Sequence, residues 1–203
     1  MTSQIISWIA VSFLFAATLS FLITEDWRWS LTFLALLYLG VFWLTQLHWT
    51  FSMAAVKLVT GWMVATILGI TRSALDPNLV SVPESSSWSH GKLFRIFTAA
   101  LAFFIALSTT PTIIKLLPGI GIPEVTGSLI LMTMGLLLLG RTIRPLKVVI
   151  GLLAFIAGFE ILYAAVENAT LVAALLALVN LGLALVGAYL LTAGTDENIG
   201  PQE

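Results

Sequence analysis

Seven long apolar runs, at residues 5–23, 31–47, 51–71, 93–109, 125–139, 148–166 and 169–191, leave this chain few ways to fold. About 20 apolar residues in a helix cross a hydrocarbon core of roughly 30 Å, and a helix satisfies its backbone polar groups within one segment. The runs therefore predict an all-α integral membrane protein with seven transmembrane helices. The fifth run is the shortest and reaches a crossing length by extending from Pro123 through Gly140. Apolar residues are 59% of the chain, against roughly 45–50% in soluble domains, and charged residues are 9%, against about 25%. In 203 residues no connection is long enough for a soluble domain, so one structural domain is expected.

Seven crossings sort the connections onto two sides, and the basic residues sort with them. Arg28, Arg72, Lys92, Arg95, Arg141, Arg144 and Lys147 fall on one side, whereas Lys115 alone falls on the other. The positive-inside rule puts the first group in the cytoplasm, giving an outside N-terminus and a cytoplasmic C-terminus. Merging or dropping a run would mix the groups, so the charge pattern also supports the odd helix count. No basic segment precedes the first run and no cleavage motif stands out between Ala17 and Glu25, so that run reads as a retained helix. Trp27 and Trp29 on the inner side, and Trp8 and Trp49 on the outer side, fit interfacial anchors.

The connections divide the chain into a four-helix part (1–110), a Pro/Gly-rich outer connection (111–124), a three-helix unit (125–192) and an acidic tail (193–203) expected to be disordered. Pro111, Pro118, Gly119, Gly121 and Pro123 suggest a kinked or re-entrant segment over 109–124. The loop 72–92 is turn-rich and polar, with Asp76-Pro77-Asn78 and Pro83-Glu84-Ser85, and is expected to touch a partner or stay mobile.

Little conventional site chemistry is encoded. Without cysteine there is no thiolate metal or iron–sulfur site, and His48 and His90 cannot by themselves form a typical zinc set, so neither metal nor cofactor is expected. The basic residues include no run of four, which implies neither nucleic acid nor an anionic lipid surface as partner. Asn168-Ala169-Thr170 matches a glycosylation sequon but abuts a membrane end, and Ser89-His90-Gly91 has no acid or nucleophile at a recognisable spacing. No Walker loop or dinucleotide fingerprint is present, so the chain is not expected to be a self-contained enzyme or to have a soluble substrate of its own.

What remains is a few polar groups inside the apolar runs. A carboxylate in hydrocarbon is costly, and Glu160 lies deep in the run 148–166. At helical spacing it shares a face with Ala157, Tyr163, Ala164 and Glu167, a face suited to protein or water rather than lipid. It is a candidate for reversible protonation, the alternative being a helix-packing carboxyl. Lys57, with Ala54, Thr60 and Gly61 on its face, sits at about the same depth from the outer side as Glu160, roughly 9 Å at 1.5 Å per residue. The two can pair, or Lys57 can snorkel to the interface. Asn180 lies on a small-residue stripe with Ala173, Ala177, Ala184 and Gly187, where packing with a bond to a neighbouring helix is favoured over an ion role. Gly127, Gly135, Gly151 and Gly158 fit close helix contact. The proton or ion pathway candidates are thus Glu160, Lys57, Tyr163, Glu167 and Asn180.

The last three runs carry a recognisable order: a short helix, the basic turn Arg141-Thr142-Ile143-Arg144-Pro145-Leu146-Lys147, a helix with Gly158-Phe159-Glu160 in its outer half, and the junction Glu167-Asn168-Ala169. This order resembles the K-type membrane subunit of respiratory complex I and the related C-type subunit of multisubunit cation/proton antiporters. The seven-helix layout, with Lys57-Leu58-Val59-Thr60-Gly61-Trp62-Met63 in the third run, is similar to component E of the hydrogenase-4 and formate hydrogenlyase group. The resemblance implies a subunit of a complex I-like assembly in a prokaryotic plasma (inner) membrane, with larger antiporter-like subunits and the lipid bilayer as partners. Glu160 would match the acidic residue of the family's proton-translocation axis. The K-type subunit has a second carboxylate in its last helix, where this chain offers Asn180, so a neighbouring subunit or water would have to supply the missing step. Two other readings stay open: a scaffold or anchor subunit whose buried charges only fix packing, and an independent secondary transporter. No internal repeat between the first four runs and the last three favours the latter.

Overall fold

A computed structural model describes residues 2–75, 90–117, 119–167 and 169–196. The chain forms seven helices among these residues: α1 (Thr2–Ile23), α2 (Trp27–Thr45), α3 (Phe51–Ala74), α4 (His90–Leu116), α5 (Ile122–Leu139), α6 (Pro145–Val166) and α7 (Thr170–Asp196). All seven contain a segment long and apolar enough to cross a membrane, as an integral membrane protein requires. The loop 72–92 expected to grip a partner lies largely outside the described residues.

Local chemistry sets the helix starts. Asp26 caps α2 by accepting from the Arg28 N–H at 3.0 Å. Prolines stand in the first turns of α5 and α6, where their missing N–H costs nothing. The outer connection departs from expectation: α4 runs through Pro111 to Leu116, and no re-entrant element occurs among the described residues. Hydroxyls of Ser108, Thr109 and Thr110 bond back to the carbonyls of Ile105 and Ala106 in the turn before the proline, and the helix continues past it. The turn is then made tightly at Gly119, whose φ of 109° disfavours any side chain. The tail expected to be disordered begins as helix, since α7 extends to Asp196, and 197–203 lie outside the described residues.

One apolar core draws on every helix, from Leu14 and Leu34 through Val64, Ala99 and Ile130 to Leu153 and Ala184. The four-helix part and the three-helix unit interlock in it. Helices α4 and α7 lie outermost, with Phe94, Phe97 and Phe104 on one and Leu171, Leu178 and Leu185 on the other exposed to lipid or a partner. Long side-chain bonds tie the ends of the bundle. At the basic end Arg95 bonds Glu25 at 2.9 Å and Lys147 donates to the Thr24 carbonyl at 2.8 Å. At the opposite end the Trp49 indole donates to the Glu167 carbonyl at 3.1 Å. Trp49 is therefore buried and is not the lipid-facing anchor its position suggested, whereas Trp8 and Trp29 are exposed. Trp27 is half-buried beneath the Arg28 and Arg72 guanidinium groups, at 5.4 and 6.0 Å from its ring.

The closest helix pair is α5 with α6, where glycines replace side chains at the seam. A Cβ on Gly135 would lie 2.7 Å from the Gly151 carbonyl oxygen and the Phe155 nitrogen, and one on Gly158 would lie 2.7 Å from the Ser128 carbonyl oxygen. Backbone that close cannot yield to a methyl group without parting the helices. Ser128 adds a bond across the seam, donating to the Gly158 carbonyl at 2.7 Å. Gly135→Ala is expected to destabilise the purified protein by about 1–3 kcal/mol. Gly182→Ala, whose Cβ meets nothing within 4 Å, is expected to be neutral or to stabilise by up to about 1 kcal/mol. Thermal unfolding in detergent compares the two.

Candidate functional site

Three helices bring their polar groups to one point inside the bundle. Lys57 lies in the second turn of α3, Glu160 near the end of α6 and Asn180 within α7. Lys57 Nζ donates to Glu160 Oε1 at 2.6 Å, with both side chains 0% exposed. Asn180 Nδ2 donates to the same oxygen at 3.0 Å. Lys57 does not snorkel, because its ammonium finds a carboxylate at its own depth, and neither charge faces lipid. The sequence-level choice for Asn180, a bond to a neighbouring helix, is the arrangement seen.

The site holds more polar capacity than these two bonds use. Glu160 Oε2 and Asn180 Oδ1 are buried with no hydrogen-bond partner among the described residues, and so is the hydroxyl of Tyr38 on α2. Tyr38 is fully buried and within electrostatic reach of Glu160. Its ring is pressed against Gly61, one turn beyond Lys57 on α3, where any Cβ would collide with it. The site thus contains an ammonium donor, a carboxylate, an amide and a phenol in low dielectric, where each polar atom left unbonded costs about 1–3 kcal/mol. Charge pairing and proton exchange between adjacent groups are the chemistries such a set supports.

Tyr163 and Glu167 fall outside this cluster. The Tyr163 ring stacks on Phe159 at 6.3 Å and packs beside Trp49, Ala164 and Ala173. The Glu167 side chain is exposed at the C-cap of α6, and its backbone carbonyl holds Trp49. Both share a helical face with Glu160, but Tyr163 packs on the Trp49 cluster and Glu167 follows Val166, the last residue of α6.

Tyr38 was not singled out from sequence. Its signal was faint: one phenol in an apolar run, with Gly61 on another helix to receive its ring. A second missed group lies at the opposite end of the bundle. Glu124 sits in the first turn of α5, a favourable place for an acid, and is buried at 6% exposure. His48 Nε2 lies 3.8 Å from its Oε1, and both line a cavity of about 390 Å³ with Ser7, Trp8 and Gly121. The sequence sets Glu124 at the end of the outer connection 111–124, whereas α5 begins at Ile122 with Pro123 in its first turn and so includes it.

Helices of this length and hydropathy define an integral membrane protein whose one fully buried ion pair, among the described residues, joins α3 to α6. No family model, curated protein or solved structure matches the chain.

Removing one partner of a buried pair strands the other. Lys57→Met is expected to destabilise the protein by about 3–5 kcal/mol, and the double variant Lys57→Met/Glu160→Leu to recover most of that loss. Tyr38→Phe, which removes an unbonded hydroxyl, is expected to leave stability unchanged or raise it by up to about 2 kcal/mol. Melting midpoints of the four proteins in one detergent complete the comparison.

Proposed function

We propose that this chain is a non-catalytic membrane subunit of a complex I-like or hydrogenase/antiporter-type assembly in a prokaryotic plasma membrane, with Glu160 passing a proton or coupled cation at the α3–α6–α7 junction. The observation that carries the reading is a carboxylate kept in the apolar core and given an ammonium and an amide from two other helices, with polar atoms beside it still unbonded. Intramembrane ionisable residues cost stability and are retained mostly where they act. The resemblance of the basic turn and the Gly158-Phe159-Glu160 segment to the K-type subunit points the same way.

The chemistry is simple and conserves charge. Along the 2.6 Å bond the proton on Lys57 Nζ passes to Glu160 Oε1, turning an ion pair into a neutral amine and a neutral acid. Neither form leaves net charge in hydrocarbon, which suits a site that changes protonation without unfolding. Onward transfer needs a second acceptor. Asn180 stands in α7 where the resembling family carries a carboxylate, so the acceptor is assigned to a neighbouring subunit seated against the exposed faces of α4 and α7. The orientation that goes with this reading places the basic end in the cytoplasm.

A scaffold role is the second reading, favoured by the complete burial of both charges. Glu160→Gln separates the two in the assembled complex. The relay reading expects Glu160→Gln to assemble yet lose at least about ten-fold in proton translocation per turnover, as removal of a general acid–base group costs 10²–10⁴-fold. Proton uptake measured in vesicles alongside the parent reaction gives that ratio. Assembled Glu160→Gln complex with an unchanged ratio leaves the scaffold reading alone.

A further inference from the structure

The basic residues that the sequence scatters singly along the chain are gathered by the fold. Arg95 from the start of α4, Arg141 and Arg144 from the α5–α6 turn, and Lys147 from the first turn of α6 all line one small cavity of about 50 Å³ at the basic end. No carboxylate lines it among the described residues. Arg95 is held by Glu25 and by the Leu22 carbonyl at 3.4 Å, and Lys147 by the Thr24 carbonyl. Arg95 Nε is buried and finds no acceptor among the described residues. Helix α6 begins at this cavity with Pro145 at its N-terminus and no acidic residue in its first turn, so the positive end of its dipole adds to the field of the four side chains.

Four cations and a helix N-terminus around a space the size of one compact group describe a receptor for a tetrahedral oxyanion, since guanidinium forks and ammonium groups match phosphate oxygens. The surroundings identify the source of that phosphate. Ile143, between Arg141 and Arg144, is 97% exposed, and Phe94 and Phe97, flanking Arg95, are also exposed. Apolar side chains beside a cationic pocket at the end of a hydrophobic bundle fit acyl chains next to a headgroup. We infer that this cavity binds the phosphate of an anionic phospholipid, with Arg95, Arg141, Arg144 and Lys147 lining the headgroup site. The sequence, with no basic run, implied no anionic lipid partner, whereas the fold gathers into one cavity basic residues that the sequence spaces apart. The inference is independent of any proton-relay role.

The test is native mass spectrometry of the full chain released from micelles containing equal amounts of phosphatidylglycerol and phosphatidylcholine. One phosphatidylglycerol per chain is expected to be retained in preference to phosphatidylcholine, and Arg141→Gln/Arg144→Gln is expected to reduce that retention roughly ten- to thirty-fold, the effect of two charges at a lipid surface. Arg28→Gln, which removes one charge at the same end but outside the cavity, is expected to leave retention unchanged. Equal retention of the two lipids, or equal loss with Arg28→Gln, overturns the inference. Inorganic phosphate at millimolar concentration supplies the other arm. If it displaces phosphatidylglycerol and alone raises the melting temperature as much, the site takes a free anion and the lipid assignment falls. Should the double variant not fold, wild-type melting decides the matter: phosphatidylglycerol must raise the midpoint where phosphatidylcholine does not.

Discussion

A carboxylate cannot sit in hydrocarbon unless something at the same depth answers its charge, and the Lys57–Glu160 bond meets that demand across two helices that are a hundred residues apart in sequence. Its consequence is positional. An ammonium on α3 and a carboxylate on α6 can be paired only in one register of the two helices. Asn180, bonding the same oxygen, adds α7 to that register. Apolar contacts alone specify such a bundle weakly, because lipid tails are as apolar as the leucines they would replace. Here the polar contact selects among packings that hydrophobicity leaves nearly equal.

Two different kinds of contact then divide the work. Helices α5 and α6 are joined by backbone approach at Gly135, Gly151 and Gly158 and by the Ser128 bond, contacts with almost no freedom to slide. Helix α3 meets the site through a long flexible lysine, and the neighbouring α2 through the Tyr38 ring seated on Gly61. Glu160 is consequently fixed to the rigid pair, whereas its cationic partner is carried on a side chain with four rotatable carbons. The basic end shows the same division, with Lys147 on rigid α6 bound to the Thr24 carbonyl just beyond α1, and Arg95 on outlying α4 reaching Glu25.

Much of the fold was legible because membrane helices are read by length and hydropathy, and each of the seven runs became a helix. One boundary shifted: Pro111 and the residues after it suggested a kinked or re-entrant segment, but α4 carries on through the proline to Leu116. Most of the polar site was legible for a related reason. Lys57, Glu160 and Asn180 stand out against apolar neighbours, and counting residues from the outer side put Lys57 and Glu160 at one depth. Tyr38 did not stand out, because a tyrosine is ordinary in such a run and its importance comes from a glycine on another helix. Glu167 shares a helical face with Glu160, but it follows the last residue of the run 148–166 and stands exposed at the C-cap of α6.

Burial on all sides constrains how the pair could ever change state. With both side chains at 0% exposure, a proton enters or leaves only if one group moves, and the rigidity of α5 and α6 makes Glu160 the harder of the two to displace. Lys57 is the mobile partner by elimination. An ammonium that swings away leaves the carboxylate with the Asn180 amide alone. The asymmetry of the pair, one partner anchored by backbone and the other on a flexible stem, is therefore what would let a closed site open without the bundle coming apart.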